Sequence, residues 1–450
     1  MHKIPGGVRL KPVTALPDMW RSIYKFPVFN AVQSTCFDSI YQSSRNVVVS
    51  APTGSGKTVV FELAIIRMLQ SSNTSAKAVY LAPTKALCSE RYKDWSTRLQ
   101  PLGCTVMEIT GDTNFSGLSA AKHARVIVAT PVRSSLTRRW TDHDKILSNL
   151  TLLLIDEVHI LHEKGRGARL EVIVSRMKNY GQQIRFVAVS ATVPNLEDVA
   201  EWISRNSAVP PNPKAKLATV GIAFHHAGMV LDDRRAVEQA FLSGSIKVLY
   251  INSFFISHHV PCSDHVFCAQ IIRGTKQYAG GGWAEISDLD FVQMIGRAGR
   301  PQFDAEGVAV VMTQNDQKQH YTELASGNTV IESSLAAELV EHINAELVLR
   351  GTSSKQAVEQ WIEGTFLHVR LLKNPAWYNL DESAASKTSK EVMQSIVEDA
   401  LNQLNQHDLA TASGESADEL AATDFGDILA KYFLSFKTML LLLQAPQNAT

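Results

Sequence analysis

A short β-branched run, Val47 to Ser50, leads straight into Ala51-Pro-Thr-Gly-Ser-Gly-Lys-Thr58, and the residues that follow keep helical spacing through Glu62, Ile65 and Leu69. A strand, a turn of small residues and a helix in that order fold as one unit of a parallel sheet, because the turn must bring a helix N-terminus against the strand end. Small side chains let backbone N–H groups close around phosphates there. Pro52, Thr53, Gly54, Ser55 and Gly56 make the turn, Lys57 supplies a cation for the β- and γ-phosphates, and Thr58 offers a hydroxyl to Mg²⁺. ATP with Mg²⁺ is the expected ligand.

Five further runs repeat the character of the first strand: Ala78 to Ala82, Val106 to Thr110, Val126 to Thr130, Leu152 to Asp156 and Phe186 to Ser190. Strands this apolar are buried on both faces, as in a sheet covered by helices on either side. A helix is expected at Leu196 to Ser204, followed by a proline-containing linker, Arg205 to Val220. Strand-like runs resume at Gly221 to Phe224, Val248 to Ile251, Val266 to Ile272 and Val308 to Met312, a second α/β unit short of strands. Beyond Asn315 helical periodicity takes over at Ser334 to Leu349 and Ser354 to Val369. Asp381 to Glu391 and Gln406 to Glu419 read as polar loops, and Asp424 to Leu443 as one helix.

The chain's 450 residues suit two to four domains. Lys plus Arg and Asp plus Glu cancel at 44 each, so any nucleic-acid contact must be local. No run of about 18 uncharged apolar residues occurs, so membrane spanning and secretion are not expected. Five cysteines without C-x-x-C spacing argue against a zinc site or a disulfide framework.

The catalytic candidates lie about a hundred residues beyond the phosphate turn. Leu152-Leu-Leu-Ile155 ends in Asp156-Glu157-Val158-His159, and a carboxylate at the carboxyl end of a buried strand can reach the metal of the turn. Asp156 is assigned to Mg²⁺ and Glu157 to the attacking water. Ser190-Ala191-Thr192 closes the last strand of the first unit. Gln293-Met-Ile-Gly296-Arg297-Ala-Gly299-Arg300 sets Arg297 and Arg300 on one helical face, where guanidiniums can reach a γ-phosphate across a cleft. Isolated, such arginines are usually solvated.

Together with Phe26-Pro-Val-Phe-Asn-Ala-Val-Gln33, Leu81-Ala-Pro-Thr-Lys-Ala-Leu87, Thr110-Gly-Asp112, Ala129-Thr-Pro131 and Phe224-His-His-Ala-Gly228, these stretches resemble the superfamily 2 helicases, in their Ski-type branch. Gln293 to Asp304 and Ile331-Glu-Ser-Ser-Leu335 are most similar to the fungal helicases of meiotic crossover formation. The resemblance implies an α/β fold with two RecA-like lobes, a winged-helix domain and the start of a helical ratchet. The domains would be 1–204 (first lobe), 205–220 (linker), 221–325 (second lobe), 326–423 (winged helix) and 424–450 (ratchet). It further implies a nuclear, ATP-dependent DNA helicase moving 3′ to 5′ on single-stranded and branched duplex DNA, with RNA as the alternative polymer. Residue by residue, Phe26 and Gln33 would flank or read adenine. Thr84, Lys85, Thr110, Gly111, Thr130, Pro131, His225 and His226 would follow the nucleic-acid strand, and Gln293, Arg297 and Arg300 would complete catalysis from the second lobe. Ile271 to Trp283 falls at the place of a strand-separating hairpin.

Two departures bear on the second lobe. Only 28 residues, Val193 to Val220, fill the interval in which the family crosses between lobes and opens the second, so that lobe is expected to be incomplete. Val248 to Pro261 replaces a glycine turn with His258-His259, and a position needing positive φ tolerates histidine poorly. A non-catalytic, nucleotide-gated binding protein is therefore a competing reading. Whichever holds, strand contacts made mostly to phosphates should give single-strand affinity that falls with salt and varies little with sequence. A strong sequence preference at fixed salt in fluorescence titrations would contradict this.

Overall fold

The structure is a computed structural model that describes residues 9–51, 55–109, 123–131, 148–179, 184–191, 193–204, 269–279, 282–295, 308–326, 330–378, 388–412, 419–432 and 434–444. Six strands, β1 (Val47–Ser50), β2 (Lys77–Leu81), β3 (Val106–Ile109), β4 (Val126–Ala129), β5 (Leu150–Ile155) and β6 (Arg185–Ser190), form one parallel sheet in the order β1-β6-β5-β2-β4-β3. Side chains alternate along a strand, so Leu153 and Ile155 enter one core while Leu152 and Leu154 enter the other. Helices Arg166–Asn179 and Leu196–Ser204 cover the first face, and Thr58–Leu69 and Lys85–Leu99 the second. Leu196–Ser204 keeps the expected bounds. The expected linker, and the expected strands at Gly221 to Phe224 and Val248 to Ile251, lie outside the described residues.

In the second lobe β7 (Ala269–Arg273) pairs in parallel with β10 (Val308–Met312). Between them β8 (Lys276–Ala279) and β9 (Gly282–Glu285) form an antiparallel hairpin where one was expected. Helices Asp288–Ile295 and Lys318–Ser326 complete the described part, around a small core of Ile272, Ile286, Phe291, Met294, Tyr321 and Leu324. Val310 and Met312 of β10 are exposed.

The C-terminal part is a winged helix: helices Leu339–Arg350, Lys355–Glu363, Phe366–Lys373 and Ser389–Gln406 with a three-stranded antiparallel sheet. Its strands are β11 (Thr352–Ser354), β12 (Ala410–Ala412) and β13 (Glu419–Ala422), β13 lying between the other two. Four sequence expectations are corrected here. The single helix expected over Ser354 to Val369 is two, because Gly364 closes the first and Thr365 caps the second through its hydroxyl. Helix Ser389–Gln406 begins inside the stretch read as a polar loop, started by a Thr388–Glu391 capping box. Both β12 and β13 fall in or at the edge of the second supposed loop. Asp424 to Leu443 is likewise two helices, Asp424–Tyr432 and Phe436–Gln444. Among the described residues no helix is long and apolar enough to cross a membrane.

The winged helix docks on the first lobe through polar groups that leave water together. Glu171, fully buried in helix Arg166–Asn179, accepts from the Ser333 hydroxyl at 2.6 Å and from the Leu367 backbone N–H at 2.7 Å. Arg370 donates to both oxygens of Glu332 at 2.9 and 2.6 Å and pairs with Asp198 of the first lobe. The Asn195 side-chain amide pairs with the backbone of Ile331 in both directions, each bond 2.9 Å. Trp202 and Phe366 pack beside this network with ring centroids 5.6 Å apart.

Glu171→Ala would leave two buried donors without an acceptor and should cost about 3 kcal/mol of unfolding free energy. Burial pushes the Glu171 carboxyl up from 4.5 to about 7, outweighing the hydrogen bonds it accepts. The native state then keeps a proton that the unfolded chain releases, so this group's contribution to stability falls as pH rises between those two values. Glu171→Gln should remove that part of the pH dependence in denaturant unfolding; an unchanged slope would show that Glu171 does not titrate in this window.

Candidate nucleotide site

The described catalytic candidates of the first lobe, Lys57, Asp156 and Glu157, gather at the carboxyl edge of the sheet, where a parallel arrangement leaves loops between strand ends and helix starts. Lys57 immediately precedes helix Thr58–Leu69, and its buried ammonium donates to the Ala51 carbonyl at 2.9 Å and the Ser190 carbonyl at 3.2 Å. These carbonyls follow β1 and end β6, so one cation ties two neighbouring strand ends. Glu157 Oε2 lies 3.7 Å from the same nitrogen.

Asp156 follows β5 and is clamped on both oxygens. The Tyr80 hydroxyl donates to Oδ2 at 2.5 Å, and the Glu157 backbone N–H donates to Oδ1 at 2.9 Å. Burial, reinforced by the neighbouring Glu157 charge, raises the Asp156 carboxyl to about 6. Glu157 itself has φ +48° and ψ +48°, a left-handed conformation that costs a non-glycine residue about 1 kcal/mol or more. Its Oε2 is buried without a hydrogen bond.

His159 connects this turn to the end of β6. Its Nδ1 accepts from the Ala191 backbone N–H at 3.3 Å and lies 3.5 Å from the Ser190 hydroxyl. Burial, with the Lys57 charge nearby, drives the imidazole well below its ordinary pKa. A neutral ring whose Nδ1 is an acceptor has no proton to give Glu157, so the 3.5 Å approach of Nδ1 to Glu157 Oε2 is not an ion pair. Gly167 lets the next helix close over the turn: a Cβ there would lie 2.3 Å from the Leu161 carbonyl oxygen.

Gln33 was expected at adenine. Its amide supports the phosphate turn, Nε2 donating to the Gly56 carbonyl at 3.2 Å and Oε1 accepting from the Asn30 N–H at 3.0 Å. The Asn30 amide donates to the Ser55 carbonyl at 2.9 Å. Phe26 stacks in a partly buried aromatic cluster, 5.3 Å from Tyr24 and 5.8 Å from Phe29. Of the strand-contact candidates, Lys85 is exposed, while Thr84 caps helix Lys85–Leu99 by accepting from the Leu87 N–H at 3.3 Å. Thr130 and Pro131 are buried, with the Thr130 hydroxyl unpartnered. Pro52, Thr53, Gly54, Thr110, Gly111, His225, His226, Arg297 and Arg300 lie outside the described residues, and Gln293 falls in helix Asp288–Ile295.

Sequence reasoning missed Tyr80 and the His159 link. The one signal for Tyr80 was a phenol in an apolar strand, which must find a partner for its hydroxyl. The donor set fits a nucleotide with a divalent cation: a buried ammonium on replaceable carbonyls, a clamped carboxylate and an unpartnered carboxylate oxygen. Tyr80→Phe should raise the Mg²⁺ concentration needed for nucleotide binding by about tenfold, the scale of losing a partner behind a metal ligand. Titration of a fluorescent nucleotide at varied Mg²⁺ checks this, and an unshifted midpoint would make Tyr80 a packing residue only.

Comparison with known proteins agrees with this geometry. Residues 30–199 match the DEAD/DEAH box helicase family and residues 332–412 a winged helix-turn-helix domain. The chain is 36% identical to ATP-dependent DNA helicase MER3 of Saccharomyces cerevisiae, over 95% of this chain and 43% of that protein. It is 34% identical to the probable ATP-dependent DNA helicase HFM1 of Homo sapiens over 96% and 37%, and 31% identical to activating signal cointegrator 1 complex subunit 3 of Bos taurus over 95% and 24%. The chain thus spans less than half the length of these relatives. In fold it is similar to the DUF1998 helicase MrfA, whose crystal structure contains DNA and AMPPNP, with a TM-score of 0.59 at 15% identity over 93% of this chain and 63% of that one. The first lobe is therefore a DEAD/DEAH box helicase domain, joined to a winged helix in a relative of the MER3 and HFM1 helicases.

Proposed function

We propose that this chain is the motor part of an ATP-dependent DNA helicase that translocates 3′ to 5′, acting in the nucleus on single-stranded and branched DNA during meiotic crossover formation. The observation that carries the reading is the set formed by Lys57, Asp156, Glu157 and His159 at one strand edge, with His159 bonded to the segment after β6. Lys57 exchanges its two carbonyl partners for phosphate oxygens. Glu157 Oε2, unpartnered and held by a left-handed backbone, accepts a hydrogen bond from the attacking water and takes its proton. Thr58 and Asp156 would hold Mg²⁺, which supplies charge neutralisation to the phosphates when bound. Gln33 shapes the turn from behind through Gly56. The DNA strand runs past Thr84, Lys85, Thr110, Gly111, Thr130 and Pro131, with His225 and His226 on the second lobe and Gln293, Arg297 and Arg300 facing the nucleotide.

Nucleotide-gated binding without efficient turnover is the second reading, and one observation favours it. The alignment with the yeast relative runs over 525 positions, more than this whole chain contains, so that relative has segments with no counterpart here. If they belong to the second lobe, unwinding of a 3′-tailed duplex by this chain is weak, since misplacement of a catalytic group by about 1 Å can cost around a hundredfold in rate.

Lys57→Ala should abolish tight nucleotide binding. Glu157→Gln should leave binding intact and lower turnover at least about a hundredfold. Hydrolysis measured with no polymer, single-stranded DNA and single-stranded RNA separates the readings: stimulation by DNA supports the first, by RNA a change of substrate, and by neither the gated binder. Equal nucleotide affinity for wild type and Lys57→Ala would overturn the site itself.

A further inference from the structure

The five-residue turn Val158–His162 that begins at the catalytic carboxylates ends on a residue with no role in nucleotide binding. His162 Nδ1 lies 2.6 Å from the His159 carbonyl oxygen, and Nε2 lies 3.2 Å from Asp288 Oδ2. Both neighbours are acceptors, and only the doubly protonated ring satisfies both. Asp288 is the first residue of the second-lobe helix Asp288–Ile295, which leads directly into Gly296 to Arg300. Its other oxygen, Oδ1, lies 3.0 Å from His320 Nε2 on helix Lys318–Ser326. A second contact clasps the same helix end: Arg166 of the first lobe donates to the Ser287 hydroxyl at 3.2 Å, and that hydroxyl accepts from the Asp290 N–H at 3.1 Å.

We propose that His162 and Asp288 form a latch between the lobes that positions the helix leading to Arg297 and Arg300 against the segment carrying Asp156 and Glu157. The proposal rests on the motor reading above for its consequence in turnover, but the latch itself is a statement about two lobes. It is a device of charge: an imidazolium against a carboxylate. The groups facing His162 are Asp288 from the second lobe, with His320 behind it, and Glu163 and Arg166 from its own segment, themselves paired at 2.8 Å. Burial disfavours the charged ring, yet the hydrogen bonds to Asp288 and the His159 carbonyl hold His162 above its ordinary pKa. The latch is therefore tightest at lower pH and weakens as pH rises through that raised value, when the ring loses its charge and can no longer donate to both the His159 carbonyl and Asp288.

The test uses the full chain in three forms: His162→Gln, Asp288→Asn and His162→Arg. Hydrogen exchange followed by mass spectrometry should show the amides of 288–295 exchanging about tenfold faster in the first two, as loss of one charge-assisted hydrogen bond implies, while the six-stranded sheet keeps its protection. In the wild type the same amides, corrected for intrinsic rate, should loosen as pH rises. His162→Arg, which keeps its charge, should abolish that pH dependence. In DNA-stimulated hydrolysis, His162→Gln should lower kcat with the KM for ATP and fluorescent-nucleotide affinity within about twofold of wild type, because the first-lobe site is untouched. Unchanged exchange at 288–295 in both His162→Gln and Asp288→Asn overturns the latch. If His162→Gln loosens the sheet as well, Asp288→Asn, which alters only the second-lobe partner, decides. A wild type that binds no nucleotide defeats the motor reading alone, since exchange still reports the latch.

Discussion

The ammonium of Lys57 organises the candidate site. A buried cation is costly unless its donors are matched, and here the match comes from backbone carbonyls on two different strand ends together with the nearby Glu157 carboxylate. The two carbonyls are neutral acceptors and weaker partners than a charged phosphate oxygen, so the arrangement holds the turn in shape while leaving the ammonium able to exchange them. Such an exchange would release Ser190 and Ala51, which belong to the edge that His159 also touches. Phosphate binding at Lys57 would thereby be tied to the end of β6 through hydrogen bonds.

From that ammonium the coupling passes through one short turn. Glu157 takes a left-handed conformation, His159 accepts from Ala191, Gly167 closes tightly on Leu161, and His162 reaches the second lobe. A turn with so many fixed contacts cannot relax piecemeal. The carboxylate end of the turn, at Glu157, and its far end, at His162 where the lobes meet, are thus joined by one short, fixed segment.

Much of this was legible in the sequence because it is written locally. The six strands carry apolar runs, Leu196–Ser204 has amphipathic spacing, and the phosphate turn has a composition that few other structures need. What was not legible depends on partners distant in the chain. Tyr80 reads as one more buried residue until Asp156 is placed beside it. Glu171 reads as a surface acid on an amphipathic helix until Ser333 and Leu367 arrive to occupy both of its oxygens. The strand Glu419–Ala422 has no β-branched residue and exists because it pairs with Thr352–Ser354 on one side and Ala410–Ala412 on the other. Gly364-Thr365 did carry a local stop-and-start signal, and the periodicity running across it concealed the break.

The two attachments made by the first lobe differ in kind, and the difference predicts where the molecule bends. Against the winged helix it presents the buried Glu171 and Asp198 and the partly buried Asn195, beside the packed rings of Trp202 and Phe366. Breaking that contact strands several charges and donors at once, so lobe and winged helix behave as one body. Against the described part of the second lobe it presents His162 and Arg166, both partly exposed and each making a single polar contact there. Such contacts are individually worth little and can be replaced by water. Relative motion is therefore concentrated between the lobes, with the winged helix carried by the first, and a latch made of so few groups is strong enough to bias that motion without freezing it.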